Sequence, residues 1–264
     1  MKRLIGTITK ILMFFFGWAI LISIGVFIFP SDNPAIWRFW AEFIPFIIII
    51  LFSILFWFIE KRSFPLMEWN NPLKNILLGI IVGAFWIGIP IVALYVGNVI
   101  TFEGTNKIAM PLLWGISCLL NVIMQELLVR GYIYQLIKHK YTLTAAIIVT
   151  TVIFTVLHAG AFEEGIIPDL CVVTMSLAMS VVMEYTESLL APILMHFIWN
   201  CVGALIFNVV MLADDYPHYF NSVFSGHRIL TGGSCFIEGS IVVLVVNLVL
   251  FDIFIFMLRK KHKS

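Results

Sequence analysis

The chain has 264 residues, 61% hydrophobic and 12% charged, with a formal net charge of +1. Soluble domains average about 45–50% apolar and about 25% charged residues, and the mean hydropathy here is +1.05. These values exclude a water-soluble globular domain, a disordered chain and a nucleic-acid binder working through a basic patch. Cys118, Cys171, Cys201 and Cys235 have no C-x-x-C spacing, so neither a disulfide framework nor a zinc-finger pattern is expected.

A spanning helix needs about 20 mostly apolar residues. Eight segments qualify: 11–29, 38–59, 75–99, 109–138, 143–160, 168–186, 189–211 and 239–258. In the first, Lys2, Arg3 and Lys10 precede the apolar run as in a signal peptide. The run is too long for such a segment and no small-x-small site follows it, so a retained helix is expected. Trp37, Trp40, Trp57 and Trp69 fall near span ends, as in an interfacial belt. The longest non-spanning stretch, 212–238, carries Tyr216, His218, Tyr219, Phe220 and His227, and reads as a surface loop or a partly re-entrant segment. Barrel strands would alternate over about ten residues, which these runs do not. The expected fold is all-α and polytopic, a single membrane domain over 1–264 with about eight transmembrane helices.

Eight spans put both termini on one side. If that side is the cytoplasm, Lys2, Arg3, Lys10, Lys61, Arg62, Lys74, Lys138, Lys140, Arg259, Lys260, Lys261 and Lys263 lie inside. Arg38, Lys107 and Arg228 lie outside, and Arg130 is intramembrane. This bias follows the positive-inside rule. Glu163, Glu164, Asp169, Asp214 and Asp215 then face out.

An ionisable side chain at mid-membrane costs about 2.5–3.5 kcal/mol on insertion scales and marks a functional candidate. The fourth span contains Asn121, Gln125, Glu126 and Arg130, the fifth His158, and the seventh His196 and Asn200. Glu126 and Arg130, Phe154 and His158, and His196 and Asn200 are each four residues apart, so each pair shares a helix face. A rise of about 1.5 Å per residue allows all three pairs one depth, and a site between helices 4, 5 and 7 is expected. A carboxylate and a histidine can deprotonate a water. A second histidine and an amide can hold a developing oxyanion. Glu126, His158 and His196 are also a His₂Glu set for zinc, although the H-E-x-x-H helix motif is absent. A Glu/His proton relay of a transporter is a third use, disfavoured by the lack of an internal repeat.

Structural roles weigh against each of these. Glu126–Arg130 alone reads equally as a salt bridge locking the helix, and either histidine as a bond to a neighbouring helix. Asp252 is expected to pair or snorkel, Glu42 to sit at a helix start near the interface, and Tyr132, Tyr134 and Gln135 to pack or lie at the interface.

The motifs Gln125-Glu126-x-x-x-Arg130-Gly131, Phe154-x-x-x-His158 and His196-x-x-x-Asn200, with the lead-in TESLLAPI from Thr186, lie in order over residues 110–205. They resemble the CAAX protease and bacteriocin-processing (CPBP, or Abi) family of intramembrane proteases, whose motifs are E-E-x-x-x-R before Gly, F-x-x-x-H and H-x-x-x-N. Members include type II CAAX prenyl endopeptidases and proteins linked to bacteriocin immunity or peptide maturation. The resemblance implies an endopeptidase acting on a membrane-associated, prenylated or bacteriocin-type peptide in a cell membrane, with lipid and a peptide or lipidated protein as partners. It implies water activated by Glu126 and His158, an oxyanion held by His196 and Asn200, and Gln125, Arg130 and Phe154 in support. It implies no cofactor, with zinc at Glu126, His158 and His196 as the alternative. The chain departs from the family at Gln125, where the first glutamate is expected. An amide cannot be a general base, so either Glu126 takes that role, or Gln125 positions a water, or the chain binds peptide without cutting it. The oligomeric state and the substrate are not legible.

Overall fold

The computed structural model describes residues 2–25, 29, 31–66, 69–158, 162, 164–261 and 263. The protein is all-α and polytopic. Among the described residues, six helices are long and apolar enough to cross a membrane. The chain divides into two compact units, residues 1–68 with 110–150, and residues 69–109 with 151–264.

The first unit holds α1 (Lys2–Gly25), α2 (Pro34–Ile59), α4 (Pro111–Glu126), α5 (Tyr132–Lys140) and the first half of α6 (Leu143–Leu157). α2 starts earlier than its hydropathy suggests. The Asn33 side chain accepts from the N–H groups of Ala35 (3.0 Å) and Ile36 (3.3 Å), and Pro34 takes the first helical position, where its missing N–H is harmless. This corrects the placement of Glu42. It lies in the third turn of α2, 5% exposed and paired with Arg38 at 3.1 Å, rather than at a helix start. Phe14, Phe56 and Tyr132 pack with centroids 4.8–5.4 Å apart, joining α1, α2 and α5. At one end, Glu60 receives Lys10 and, at 2.8 Å, Lys140. Burial pushes the Glu60 carboxyl up, but the hydrogen bonds and positive charges of the two lysines together outweigh burial and hold it below its ordinary value. The start of α1 and the ends of α2 and α5 therefore share one level.

The second unit holds α3 (Pro72–Val96), the end of α6, α7 (Ile166–Thr186), α8 (Leu190–Asn200) and α10 (Ile241–Lys261). α3 and α8 approach closely because Gly79 and Gly83 face the backbone of α8. A Cβ on Gly79 would stand 2.7 Å from the Ala191 carbonyl oxygen, and one on Gly83 would stand 3.0 Å from Met195 Cα. This small-xxx-small contact is a common way for membrane helices to bring backbones together. Behind it, Trp86 and Trp199 pack at 4.6 Å, and Trp86 Nε1 donates to Asn247 Oδ1 at 2.7 Å. The Asn247 amide in turn donates to the Cys171 carbonyl (3.0 Å) and Thr174 Oγ1 (3.1 Å), so this buried asparagine ties α3, α7 and α10 together.

The stretch read as loop or re-entrant segment contributes β2 (Phe220–Phe224), antiparallel to β1 (Ile100–Thr105), with Ile100 opposite Phe224 and an irregularity between Phe102 and Thr105. A short α9 (Arg228–Thr231) and a 3₁₀ segment (Gly233–Gly239) follow.

Two of the eight expected spans are short. α6 has 15 residues, about 22 Å at 1.5 Å per residue, and 190–206 runs for about 25 Å, against a hydrocarbon core of about 30 Å. Hydropathy alone overestimates the second because most of residues 207–211 beyond it are also apolar. Parts of the first and fifth expected spans, 26–28 and 159–160, and Glu163 lie outside the described residues.

Candidate active site

The first motif ends α4 and enters a π-helical turn, Leu127–Gly131. Such wide turns often mark functional positions in helices. Glu126 and Arg130 are 0% and 1% exposed, and Arg130 Nη1 donates to Glu126 Oε2 at 2.8 Å. Removing either partner would leave the other charge buried.

Gln125 points elsewhere. Its Nε2 donates to Asn121 Oδ1 at 2.6 Å, and Asn121 Nδ2 donates to Glu42 Oε2 at 2.8 Å. Glu42 Oε1 accepts from Arg38 Nη1. A carboxylate only accepts, so Asn121 must turn its NH₂ toward Glu42 and its oxygen toward residue 125, which must then donate. The chain of bonds has a direction, and that direction demands a donor at position 125, which the amide supplies and an ionised carboxylate would not. The two adjacent motif residues thus have separate partners, as their angular separation of about 100° on a helix requires.

The second and third motifs lie in the second unit. His158 closes the end of α6, and its Nδ1 lies 2.8 Å from the Phe154 carbonyl oxygen. A carbonyl only accepts, so Nδ1 carries the proton, and in the neutral ring Nε2 keeps its lone pair. The half-buried His158 ring lies 4.2 Å from the Phe154 ring, which in turn lies 6.2 Å from the buried His196 ring. Phe154 is thus the packing element between the two histidines. His196 and Asn200, 2% and 5% exposed, share a face of α8, held by the glycine contact with α3. A second π-helical turn, Cys201–Ile206, begins directly after Asn200. The helices of the first and third motifs therefore end in π turns.

Residues 107–202 match the family model described as type II CAAX prenyl endopeptidase Rce1-like. The match covers all three motifs and supports, at the level of the family, a CAAX-type intramembrane protease. No curated protein and no solved structure matches the chain.

Of the remaining candidates, Tyr132, Tyr134 and Gln135 are buried as expected, and Asp252 lies exposed on α10. Sequence reading missed two features. One is the part Asn121, Glu42 and Arg38 play in holding Gln125. Their spacing was visible within each helix, but the contact between α2 and α4 was not. The other is Glu238, whose carboxylate accepts from Trp199 Nε1 (3.1 Å) and the Met211 N–H (3.2 Å), beside the residue preceding Asn200. Its position in the 212–238 stretch gave no sign of this.

Proposed function

We propose that the protein is a membrane-embedded endopeptidase that cleaves a membrane-associated peptide of the prenylated or bacteriocin type. The single observation that carries this reading is the fixed tautomer of His158. Its own helix occupies Nδ1–H, which makes Nε2 the ring nitrogen with the chemistry to accept a proton. In the proposed reaction, water attacks the scissile carbonyl carbon while His158 Nε2 accepts its proton. Glu126, fixed by Arg130, orients that water. The carbonyl oxygen becomes an oxyanion that accepts hydrogen bonds from His196 and Asn200. The C–N bond then breaks, and the imidazolium returns the proton to the leaving amine. No metal ion is needed for these steps, and zinc at Glu126, His158 and His196 is the alternative. The protein is read as a cell-membrane protein with both termini cytoplasmic. The gathering of Lys10 and Lys140 at one end of the first unit supports that orientation.

One observation favours a second reading, a family member that binds peptide, as an immunity factor would, without cleaving it. Gln125 is built into a directed hydrogen-bond chain that has no place for a carboxylate.

The test is cleavage of a quenched peptide library, including a farnesylated C-terminal CaaX peptide, by the protein in proteoliposomes. The proteolytic reading expects cleavage that survives chelator and falls at least a hundredfold in His158→Ala and Glu126→Ala, with melting of His158→Ala little changed. Unchanged turnover in His158→Ala refutes the assignment, and loss of activity with chelator supports the zinc alternative. A silent parent with binding of the same peptide supports the second reading.

A further inference from the structure

The second unit has a cavity of about 640 Å³ at its basic end, where the start of α3, the turn from α7 to α8 and the end of α10 meet. We infer that this cavity binds the phosphate headgroup of an anionic membrane lipid, with Lys74 and Lys260 as its cationic contacts.

The walls are fixed before any ligand arrives. Asn75, 3% exposed, donates to the Asn70 carbonyl (2.5 Å) and the Thr186 carbonyl (3.1 Å), tying the start of α3 to the end of α7. Lys261 reaches from α10 to the Tyr185 carbonyl (3.0 Å) and Glu187 Oε1 (2.6 Å), and Asn70 donates to Glu187 Oε2 (3.0 Å). Glu187 is the acid lining the cavity, and Lys261 and Asn70 already occupy both its oxygens. Among the described residues, neither the Lys74 nor the Lys260 ammonium has a hydrogen-bond or ion-pair partner. Two lysines from different helices thus line one cavity, with its acid already satisfied.

The apolar lining says which anion fits. Leu78 lies four residues beyond Lys74 on α3, and Phe256 four residues before Lys260 on α10. Each lysine therefore has an apolar side chain on its own helix face, about 6 Å further along the span. Phe256 is 69% exposed, so this apolar side is open. Charge at the rim with an open apolar wall one turn deeper matches a phosphodiester at the interface and acyl chains beneath it. A free phosphate would use only the rim. The volume lies in the usual range of small-molecule sites, about 300–1,000 Å³. Basic pockets between spanning helices on the cytoplasmic side are a known form of headgroup site, and each lysine near an anionic surface contributes about a fivefold gain in affinity. This inference does not depend on the proteolytic reading.

The test is native mass spectrometry of the full chain released from detergent, with phosphatidylglycerol, phosphatidylcholine or inorganic phosphate as the probe. Phosphatidylglycerol is expected to stay bound and phosphatidylcholine to be lost. Binding should weaken about fivefold in Lys74→Gln and about thirtyfold when Lys260→Gln is added. The same charge loss in the other unit, Lys61→Gln with Arg62→Gln, should change it less than twofold. Lys74→Arg with Lys260→Arg should retain binding, and Lys74→Gln alone carries the test if the double variant does not fold. Equal retention by Lys74→Gln and the parent, an equal loss in the control pair, or equal binding of phosphatidylcholine overturns the inference. Displacement of phosphatidylglycerol by an equal concentration of inorganic phosphate assigns the rim to free phosphate and overturns the lipid assignment.

Discussion

Gln125→Glu puts a glutamate at the first position of the motif the chain resembles, and the hydrogen-bond chain from Gln125 to Glu42 sets its effect on the fold. The new carboxylate would face Asn121 Oδ1, now 2.6 Å from the Gln125 amide nitrogen. Turning Asn121 over would repair that contact but bring its oxygen against Glu42 Oε2, now 2.8 Å from its NH₂, and Glu42 is only 5% exposed. Either way two acceptors face each other. A lost hydrogen bond is worth about 0.5–1.5 kcal/mol and an unsatisfied buried group about 1–3 kcal/mol. Gln125 and Asn121 are half-buried, so the expected destabilisation is about 1–2 kcal/mol. The assay is equilibrium unfolding in mixed micelles, run on Gln125→Glu, Asn121→Ala and the double variant. In the Asn121→Ala background the opposing oxygen is gone, and the cost of Gln125→Glu should fall below about 0.5 kcal/mol. Equal stability of Gln125→Glu and parent, or the same cost in both backgrounds, would refute the reasoning. If Gln125→Glu gains cleavage despite lower stability, position 125 is where the base belongs, and the amide marks a chain that has exchanged catalysis for a tighter fold.

Arg130→Met should destabilise the protein by about 3–5 kcal/mol, because it removes the ion-pair partner of a fully buried Glu126 carboxylate. Adding Glu126→Gln should recover much of that loss, as read by the same unfolding assay. Gly79→Ala should cost about 1–3 kcal/mol through overpacking, since its Cβ would stand 2.7 Å from a backbone oxygen of α8. It should also lower any cleavage activity, because α8 carries His196 and Asn200; full activity and an unchanged melting point would contradict the close contact. Glu60, held below its ordinary carboxylate value, contributes stability that is present above its unfolded value and lost as pH falls through its folded one. Melting points measured from about pH 7 down to about pH 3 should therefore drop more steeply in the parent than in Glu60→Gln, and parallel curves would argue against the lysine cluster.

The long helices were legible because apolar runs of spanning length leave the backbone few alternatives in lipid. Their starts were legible too, at Asn33-Pro34 and Asn71-Pro72, but hydropathy windows overrode those signals and moved α2 four residues late. That shift alone misplaced Glu42 at a helix start. The site residues were legible by type and spacing, since His158, His196, Glu126 and Arg130 stand out in otherwise apolar spans. Their partners were not, because a partner on another helix leaves no periodicity. The spacing of Gly79 and Gly83 was readable as a close-packing stripe, but only the fold tells which helix lies against it. Nothing in the composition of LLVRG or CVGALI separates a π turn from an α turn.

Those two wide turns have a consequence for how the chain tolerates changes in length. In an ordinary stretch of helix, deleting one residue rotates everything beyond it by about 100°. A π turn already holds one residue more than an α turn needs. Losing a residue from Leu127–Gly131 can convert the turn to α geometry while both flanks keep their faces, so Tyr132 would stay among Phe14 and Phe56. The Cys201–Ile206 turn offers the same slack after Asn200. The helices of the first and third motifs are thus flanked by the places in their own spans where the chain can shorten without turning its chemistry away.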